Sequence, residues 1–414
     1  MGMLQSAIGL AGLIGIAWLF SENRRSFDVR AVAAGLALQF LVAFLMFKVP
    51  LFSGAMMRLN GLVDALQRAT GEGTAFVFGF LGGGPLPYAE TIPGGSWTMG
   101  FRALPLVLVM SALSSLLFFW RIIPAVVRGF SFVLRRTMGV GGALGVGVSA
   151  NIFVGMVEAP LIVAPYLSAM TRSELFALMT SGMATIAGTV MVLYASFLAP
   201  VLPNAVGHIL TASIISAPAA VLVARIMVPE NRKGGGGDAA IASSARSSMD
   251  AITRGTEEGM RLLIGIVAML VVLVALVHLA NLILGLLPAI GGAPVTLQRI
   301  FALAMWPVVW LMGIPVPEAA TAASLMGTKT VLNELLAYLQ MAALPAGSLS
   351  PRSIVILTYA MCGFANFGSL GIMIGGLAAM APERKAEVVD LGMKSIVAGT
   401  LATCMTGAVA GVLF

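Results

Sequence analysis

The chain has 414 residues, of which 59% are hydrophobic and only 10% are charged. Its mean hydropathy is +1.00, which is too apolar for a soluble protein that must cover its surface with polar side chains. The composition therefore excludes an ordinary soluble domain and indicates a protein with many membrane spans.

Uncharged runs long enough to cross a bilayer, which takes about 20 apolar residues, follow one another along the chain. They lie at 3–20, 31–47, 103–120, 175–224, 262–298, 353–382 and 395–414. The run at 175–224 is long enough for two spans. The first run is followed by "SENRRS" and not by a small-residue cleavage site, so we expect a retained span and not a signal peptide. The runs predict an all-α polytopic membrane protein with about eight transmembrane helices.

The Lys and Arg residues are divided unevenly between alternate loops. If the N-terminus is outside, seventeen of the 24 Lys and Arg residues face the cytoplasm and seven do not. This bias predicts a multi-pass protein of the cell inner membrane, surrounded by lipid, with a periplasmic N-terminus. It also accounts for the formal net charge of +7, so we expect no nucleic-acid partner.

Composition divides the chain into six regions. We predict N-terminal scaffold spans with an external loop region, a first repeat, a cytoplasmic linker with an interfacial helix, a scaffold span, a second repeat and a C-terminal span. These regions cover 1–120, 121–228, 229–261, 262–294, 295–382 and 383–414, respectively. The linker prediction rests on the Gly/Ser/Ala-rich stretch 229–248. The first repeat opens with an Arg-rich amphipathic stretch, 121–137, which is typical of a helix lying in the membrane interface.

Each predicted repeat contains an apolar stretch that is interrupted and is followed by a helix with a weak centre. The interruptions are "GVGGALGVGVSAN" and "EAP" within 138–170, and "GIPVPEAATAA" within 300–341. The weak centres lie at 181–190 and 362–371. Non-helical backbone at membrane depth is tolerated only where protein or water satisfies it. We therefore expect two re-entrant helical hairpins that enter from opposite sides, an inverted repeat typical of secondary transporters, with the breaks lining a cavity.

Three acids lie away from loops and segment ends: Glu158, Glu334 and Glu318. An ionisable group inside a membrane costs on the order of 2.5–3.5 kcal/mol, so a function is the default interpretation. The alternative is an acid at a helix end bonded to backbone N–H groups, and it is strongest for Glu318, which stands beside two prolines.

These acids have no catalytic partners in the sequence. There is no His–Glu metal motif, no GxSxG and no pair of aspartates on facing helices. We therefore expect a binding role, no enzyme activity and no organic cofactor. A carboxylate suits sugar hydroxyls, and Asn366 and Ser369 add polar groups on one helical face. Interhelical hydrogen bonding is the alternative for these two residues.

The stretch "GTKTVLNELLAY" (327–338) resembles the G-x-K-x-x-x-N-E-F-V-A-Y signature of the concentrative nucleoside transporters. "ANIFVGMVEAPL" (150–161) and "MCGFANFGSLG" (361–371) resemble two further blocks of that family, in the same order. The resemblance covers almost the whole chain. It implies a homotrimeric secondary active transporter that imports nucleosides by cation symport with alternating access. The expected coupling ion is sodium, and a proton is the alternative.

The resemblance also implies the site residues. Glu334, Asn366 and Ser369 correspond to a ribose-binding set, and Phe364 to a residue lining the sugar or base. The remaining expected substrate positions are Glu158, Met156, Val157, Val190 and Asn333. The expected sodium ligands are the side chains of Asn151 and Thr185 and the carbonyls of Val154 and Ile186.

The chain departs from the family pattern beside the first hairpin acid. Family members that read pyrimidine or general nucleosides commonly have Gln-Thr there, where this chain has Met156 and Val157. An apolar contact replaces an amide and a hydroxyl. Leu335 stands for the signature phenylalanine, and Thr185 for a serine whose oxygen it keeps. A symporter of the same fold for a modified nucleoside or other ribosyl compound is therefore the alternative. A membrane-embedded enzyme or a receptor is the alternative from a different class.

Overall fold

The computed structural model describes residues 2–91, 95–230, 245–289 and 291–414, and these residues form helices and no β-strand. The predicted all-α class is therefore confirmed. Within these ranges, seven helical segments are long and apolar enough to cross a membrane. Most of the predicted linker 229–248, namely 231–244, lies outside the described residues.

Four helices form the N-terminal part of the chain. They are α1 (Gly2–Leu19), α2 (Val29–Lys48), α3 (Pro50–Phe78) and α4 (Leu106–Phe119). Asp28 is the N-cap of α2. Its side chain accepts hydrogen bonds from the backbone N–H groups of Arg30 and Ala31, which satisfies donors that a helix start leaves free.

The next helices contain the first interrupted stretch. They are α5 (Ile122–Met138), α6 (Gly142–Ala150), α7 (Glu158–Ile162), α8 (Arg172–Ala184), α9 (Gly188–Leu198) and α10 (Ala205–Met227). Helices α6 and α7 are joined by non-helical residues 151–157, the first turn. Helices α8 and α9 are separated at 185–187, the first break. The break lies inside the weak centre predicted at 181–190.

The remaining helices contain the second interrupted stretch. They are α11 (Ser248–Leu284), α12 (Leu297–Leu311), α13 (Val316–Val331), α14 (Glu334–Ala342), α15 (Pro351–Met361), α16 (Phe367–Met380) and α17 (Lys385–Leu413). Residues 332–333, the second turn, join α13 to α14. Residues 362–366, the second break, separate α15 from α16. The order of hairpin, broken helix and long helix thus occurs in α6–α10, the first unit, and again in α13–α17, the second unit.

The structure differs from expectation at two places in this part of the chain. The stretch "GIPVPEAATAA" does interrupt the apolar run, since residues 312–315 are non-helical between α12 and α13, but it does not line the cavity, and most of it forms the start of α13. The prolines explain this: Pro315 is the N-cap and Pro317 lies in the first turn of α13, where a helix has no use for their missing N–H groups. The predicted interfacial helix at 249–261 is the first part of the continuous helix α11.

The two broken helices approach each other closely where they are interrupted. In the most apolar stretches of α10 and α17, 89% and 83% of the residues are buried, whereas in that of α11 only 6% are buried. A Cβ atom on Gly363, in the second break, would lie 2.8 Å from the carbonyl oxygen of Met183 at the end of α8. The absence of a side chain at Gly363 therefore allows the second break to approach the first.

Candidate substrate-binding site

A cavity of about 350 Å³ lies where the two turns, the two breaks and α11 meet. This volume is in the range of small-molecule sites, about 300–1,000 Å³. All nine expected substrate residues line it: Met156, Val157, Glu158, Val190, Asn333, Glu334, Phe364, Asn366 and Ser369. Residues that are far apart in the sequence are thus brought together around one space.

Glu334 is the carboxylate buried most deeply in this cavity, with 3% of its surface exposed. It is the first residue of α14, where the helix dipole favours a negative charge. The preceding Asn333 caps the helix by accepting from the backbone N–H of Leu336 at 3.0 Å. The turn and the cap together fix the backbone from which the carboxylate projects.

Two side chains donate hydrogen bonds to the Glu334 carboxylate. The hydroxyl of Tyr194 donates to Oε1 at 2.6 Å, and Nδ2 of Asn366 donates to Oε2 at 3.0 Å. Each carboxylate oxygen can accept a second hydrogen bond. The carboxylate is therefore oriented by protein donors and retains capacity for hydroxyl groups of a ligand.

Asn366 is oriented by its own helix. It is the N-cap of α16, and its Oδ1 accepts from the backbone N–H of Ser369 at 2.7 Å. With Oδ1 committed to the cap, Nδ2 faces Glu334. The spacing of three residues between Asn366 and Ser369 is therefore a capping relationship, and the same side chain also joins α16 to α14.

The first turn contributes an apolar wall, and the start of α7 contributes an exposed acid. Met156 is 8% exposed and Val157 is half-buried, whereas Glu158 is exposed. A Cβ on Gly155 would lie 2.1 Å from Oε2 of Glu158, so the carboxylate folds back over this glycine. Among the described residues, no protein donor is hydrogen-bonded to Glu158. Its oxygens are accessible to a ligand in the cavity.

The expected sodium ligands lie where the first turn meets the first break. The backbone N–H of Gly188 donates to the carbonyl of Phe153 at 3.0 Å, which ties the turn to the start of α9. Asn151 is 1% exposed, and within the described residues neither of its side-chain polar atoms has a hydrogen-bond partner. An unsatisfied buried amide is costly unless another group binds it. The Asn151 oxygen therefore fits a hard cation.

Thr185 also fits such a cation. Its hydroxyl donates to the carbonyl of Ser181 at 2.9 Å, which leaves the lone pairs of Oγ1 available. Together with the carbonyls of Val154 and Ile186, these are the oxygen donors that hard monovalent or divalent cations prefer in proteins. The described residues contain no cluster of three or more acidic, His or Cys side chains for a metal ion.

Glu318 lies outside the cavity. Its Oε2 accepts from both the backbone N–H and the hydroxyl of Ser350, at 3.2 and 3.1 Å. Ser350 is the N-cap of α15. The structure therefore supports the helix-end interpretation of Glu318.

Sequence reasoning missed Tyr194 and the wall formed by α11. Tyr194 lies four residues after Val190 and therefore on the same face of α9. The prediction that Val190 lines the site thus also indicated Tyr194. The α11 residues recur at helical spacing along one face; they are Arg261, Leu262, Gly265, Ile266, Met269, Leu270 and Leu273. Nothing in a uniformly apolar run distinguishes this face from the lipid-facing ones.

Family models match three parts of the chain. The model described as "Na+ dependent nucleoside transporter C-terminus" matches residues 208–411, and the corresponding N-terminal model matches residues 8–81. A model described as "Nucleoside recognition" matches residues 100–201. The nucleoside permease NupC of Helicobacter pylori is 34% identical to the chain, over 99% of the chain and 97% of the permease.

Solved structures of CNTnw have the same fold. CNTnw in an inward-facing substrate-bound state superimposes with a TM-score of 0.88 and 33% identity, over 100% of this chain and 99% of that one. A doubly substituted CNTnw in an outward-facing state gives a TM-score of 0.89 and 32% identity, over 100% of this chain and 97% of that one. Proteins of this fold are therefore observed open to either side, as alternating access requires. By sequence and by structure, the chain belongs to the Na+-dependent nucleoside transporters, a family of membrane transporters and not of enzymes.

Proposed function

We propose that the chain imports nucleosides across the cell inner membrane by sodium symport, with the ribose bound at Glu334. The observation that carries this proposal is the buried Glu334 carboxylate, held by Tyr194 and Asn366 at the wall of the cavity. A carboxylate with free lone pairs is a strong acceptor for vicinal hydroxyl groups. Ser369 and Asn333 supply further polar atoms beside it.

Sodium is proposed as the coupling ion because of the oxygen donors at the first turn and first break. The unpartnered Asn151 amide supports an ion at this place. Binding there would hold the first turn against the first break and so shape the wall formed by Met156 and Val157. A proton is the alternative coupling ion, and Glu158 would then be the group that carries it.

The base is proposed to lie against the apolar side of the cavity. Met156 and Val157 face this side together with apolar residues of α11. An apolar wall cannot reject a base by leaving polar groups unpaired, so selectivity for the base is expected to be shallow. The second candidate, a symporter for a modified nucleoside or another ribosyl compound, rests on the same two residues.

The remaining assignments follow from the charge distribution and the family. The excess of Lys and Arg in alternate loops supports a periplasmic N-terminus and a cytoplasmic linker at 229–248. With this orientation the two units form an inverted repeat, and residues 121–228 and 295–382 are its two halves, which enclose the site together with α11. A homotrimer is proposed as the assembly.

The proposal is tested by uptake of radiolabelled uridine, adenosine and free ribose into proteoliposomes. We expect uptake of both nucleosides, stimulated by an inward sodium gradient, and none of ribose. Competition by base-modified nucleosides separates the two candidates. A modified compound that competes at least tenfold better than uridine and adenosine would favour the second.

A further inference from the structure

Lys329 is a fully buried lysine that the proposed transport mechanism does not use. It lies in α13 with 0% of its surface exposed and does not line the cavity. A buried ammonium group is costly inside a membrane protein unless hydrogen bonds and an opposite charge compensate it. Its partners therefore indicate what it stabilises.

Two hydrogen bonds connect Lys329 to other helices. Its Nζ donates to the carbonyl of Ala360 at 3.1 Å and to Oγ1 of Thr403 at 3.3 Å. The Thr403 hydroxyl itself donates to the carbonyl of Thr400 at 3.0 Å, so its lone pair is free to accept from the lysine. The ammonium group thus bridges α13, α15 and α17.

Ala360 lies in the last turn of α15, which ends at Met361 immediately before the second break. Carbonyl groups in the last turn of a helix lack intrahelical partners, and a cation is favoured there by the helix dipole. Lys329 supplies both a donor and a positive charge at this helix end. It therefore stabilises the interruption of the helix at the place where Asn366 must be presented.

The lysine contact and the ribose-site contact join the same two segments. Lys329 precedes the second turn and bonds Ala360 before the second break, whereas Glu334 follows that turn and bonds Asn366 at the end of that break. The turn and the break are thus tied together on both sides. Rotation of one against the other would separate Asn366 from Glu334.

We propose that Lys329 is a positioning residue for the ribose site. The lysine holds the second break against the second turn and so fixes the positions of Asn366 and Glu334 relative to each other. This inference rests on the proposed binding of ribose at Glu334. It assigns to the lysine a role in discrimination between ribose and deoxyribose, without contact with the substrate.

The test compares Lys329→Met, Lys329→Arg, Glu334→Gln and the double variant K329M/E334Q in proteoliposomes. Competition of uridine uptake by uridine, 2′-deoxyuridine and 3′-deoxyuridine gives the affinity of each. Thermal unfolding in detergent reports folding. Thr403→Val removes one acceptor of the lysine, and Thr406→Val in the same helix, whose hydroxyl bonds Ser216 and not the lysine, is its matched control.

We expect Lys329→Met to weaken uridine binding about tenfold and to reduce the preference for uridine over its deoxy analogues, with Lys329→Arg restoring most of that preference. In the Glu334→Gln background the lysine change should have little further effect. Should Lys329→Met fail to fold, Thr403→Val is expected to reduce the same preference while Thr406→Val does not.

Two results would overturn the inference. One is an unchanged preference for uridine over its deoxy analogues in Lys329→Met or Thr403→Val. The other is a double variant whose affinity loss is the product of the two single losses, because independent effects multiply. If Glu334→Gln alone left the uridine affinity unchanged, the proposed ribose site itself would be wrong, which is a distinguishable outcome.

Discussion

The hydroxyl of Tyr194 donates a 2.6 Å hydrogen bond to Glu334, a residue 140 positions later in the chain. The bond joins α9 of the first unit to α14 of the second. Both residues are buried, and both line the cavity. The carboxylate that we propose as the ribose acceptor is therefore oriented by both units, and its geometry depends on their relative position.

Tyr194→Phe removes this donor and keeps the ring. A hydrogen bond to a charged group contributes about 1.5–3 kcal/mol, so we expect nucleoside affinity to fall about tenfold or more. Isothermal calorimetry in detergent measures the affinity. Tyr359→Phe is the control, since Tyr359 is also buried and bonds His208 outside the cavity. An equal loss of affinity in both variants would contradict a specific role for Tyr194.

Glu334→Gln replaces the carboxylate by an amide of the same shape, which exchanges one acceptor oxygen for a donor. The expected cost is about 1–3 kcal/mol, or roughly tenfold or more in nucleoside affinity. Glu318→Gln is the matched control, because Glu318 bonds Ser350 outside the cavity and its neutralisation should leave binding unchanged. Unchanged affinity in Glu334→Gln, measured by calorimetry, would remove this residue from the substrate site.

Asn151→Ala and Thr185→Val each remove one proposed sodium oxygen. We expect both variants to need more sodium for half-maximal uptake, with nucleoside affinity at saturating sodium affected less. Thr358→Val is a matched control, because Thr358 makes the same hydrogen bond as Thr185, to the carbonyl four residues earlier, but in α15. Wild-type uptake that depended on a proton gradient and not on sodium would contradict this ion site and would favour Glu158 as the group that carries the proton.

Met156→Gln combined with Val157→Thr restores an amide and a hydroxyl beside Glu158. We expect the wild type to distinguish bases weakly and to lose more affinity from a missing ribose hydroxyl than from exchange of uracil for adenine. The double variant should sharpen base preference by about 1–2 kcal/mol, for one or two net hydrogen bonds. Met156→Leu with Val157→Ile is the apolar control.

Uptake competition by a set of nucleosides measures this preference in all three proteins. A wild type that already separates bases by about a hundredfold, with a double variant no sharper, would place base recognition elsewhere in the cavity.

The sequence predicted the membrane class and the weak helix centres because the physics behind them is local. Long uncharged runs predict spans by their length and composition alone. The first break at 185–187 was predictable because it lies in a stretch of small residues. Glu158 and Glu334 were singled out because ionisable groups are rare at membrane depth, and the family resemblance then joined them with the other polar residues of the cavity. Asn366 and Ser369 were found from their spacing, although the N-cap geometry that explains the spacing was not.

Other features depended on tertiary contacts that no local pattern encodes. The second turn lies at 332–333 and not at the proline-rich stretch, because Pro315 and Pro317 can begin a helix as well as interrupt one. Tyr194 was overlooked because one hydroxyl in an apolar run is informative only once its partner Glu334 is known. The role of α11 as a cavity wall was also hidden, since an apolar face packs equally well against lipid or against a site.

Nucleoside uptake driven by a sodium gradient is tested most directly by radiolabelled uridine uptake into proteoliposomes of the wild type. The measurement compares an inward sodium gradient with equal sodium on both sides and with an inward proton gradient in sodium-free buffer, with Glu334→Gln in parallel. We expect transient accumulation of uridine above equilibrium with the sodium gradient only, and reduced accumulation in Glu334→Gln at low uridine concentration. Uridine accumulation that is indifferent to sodium, or that persists unchanged in Glu334→Gln, would contradict this expectation.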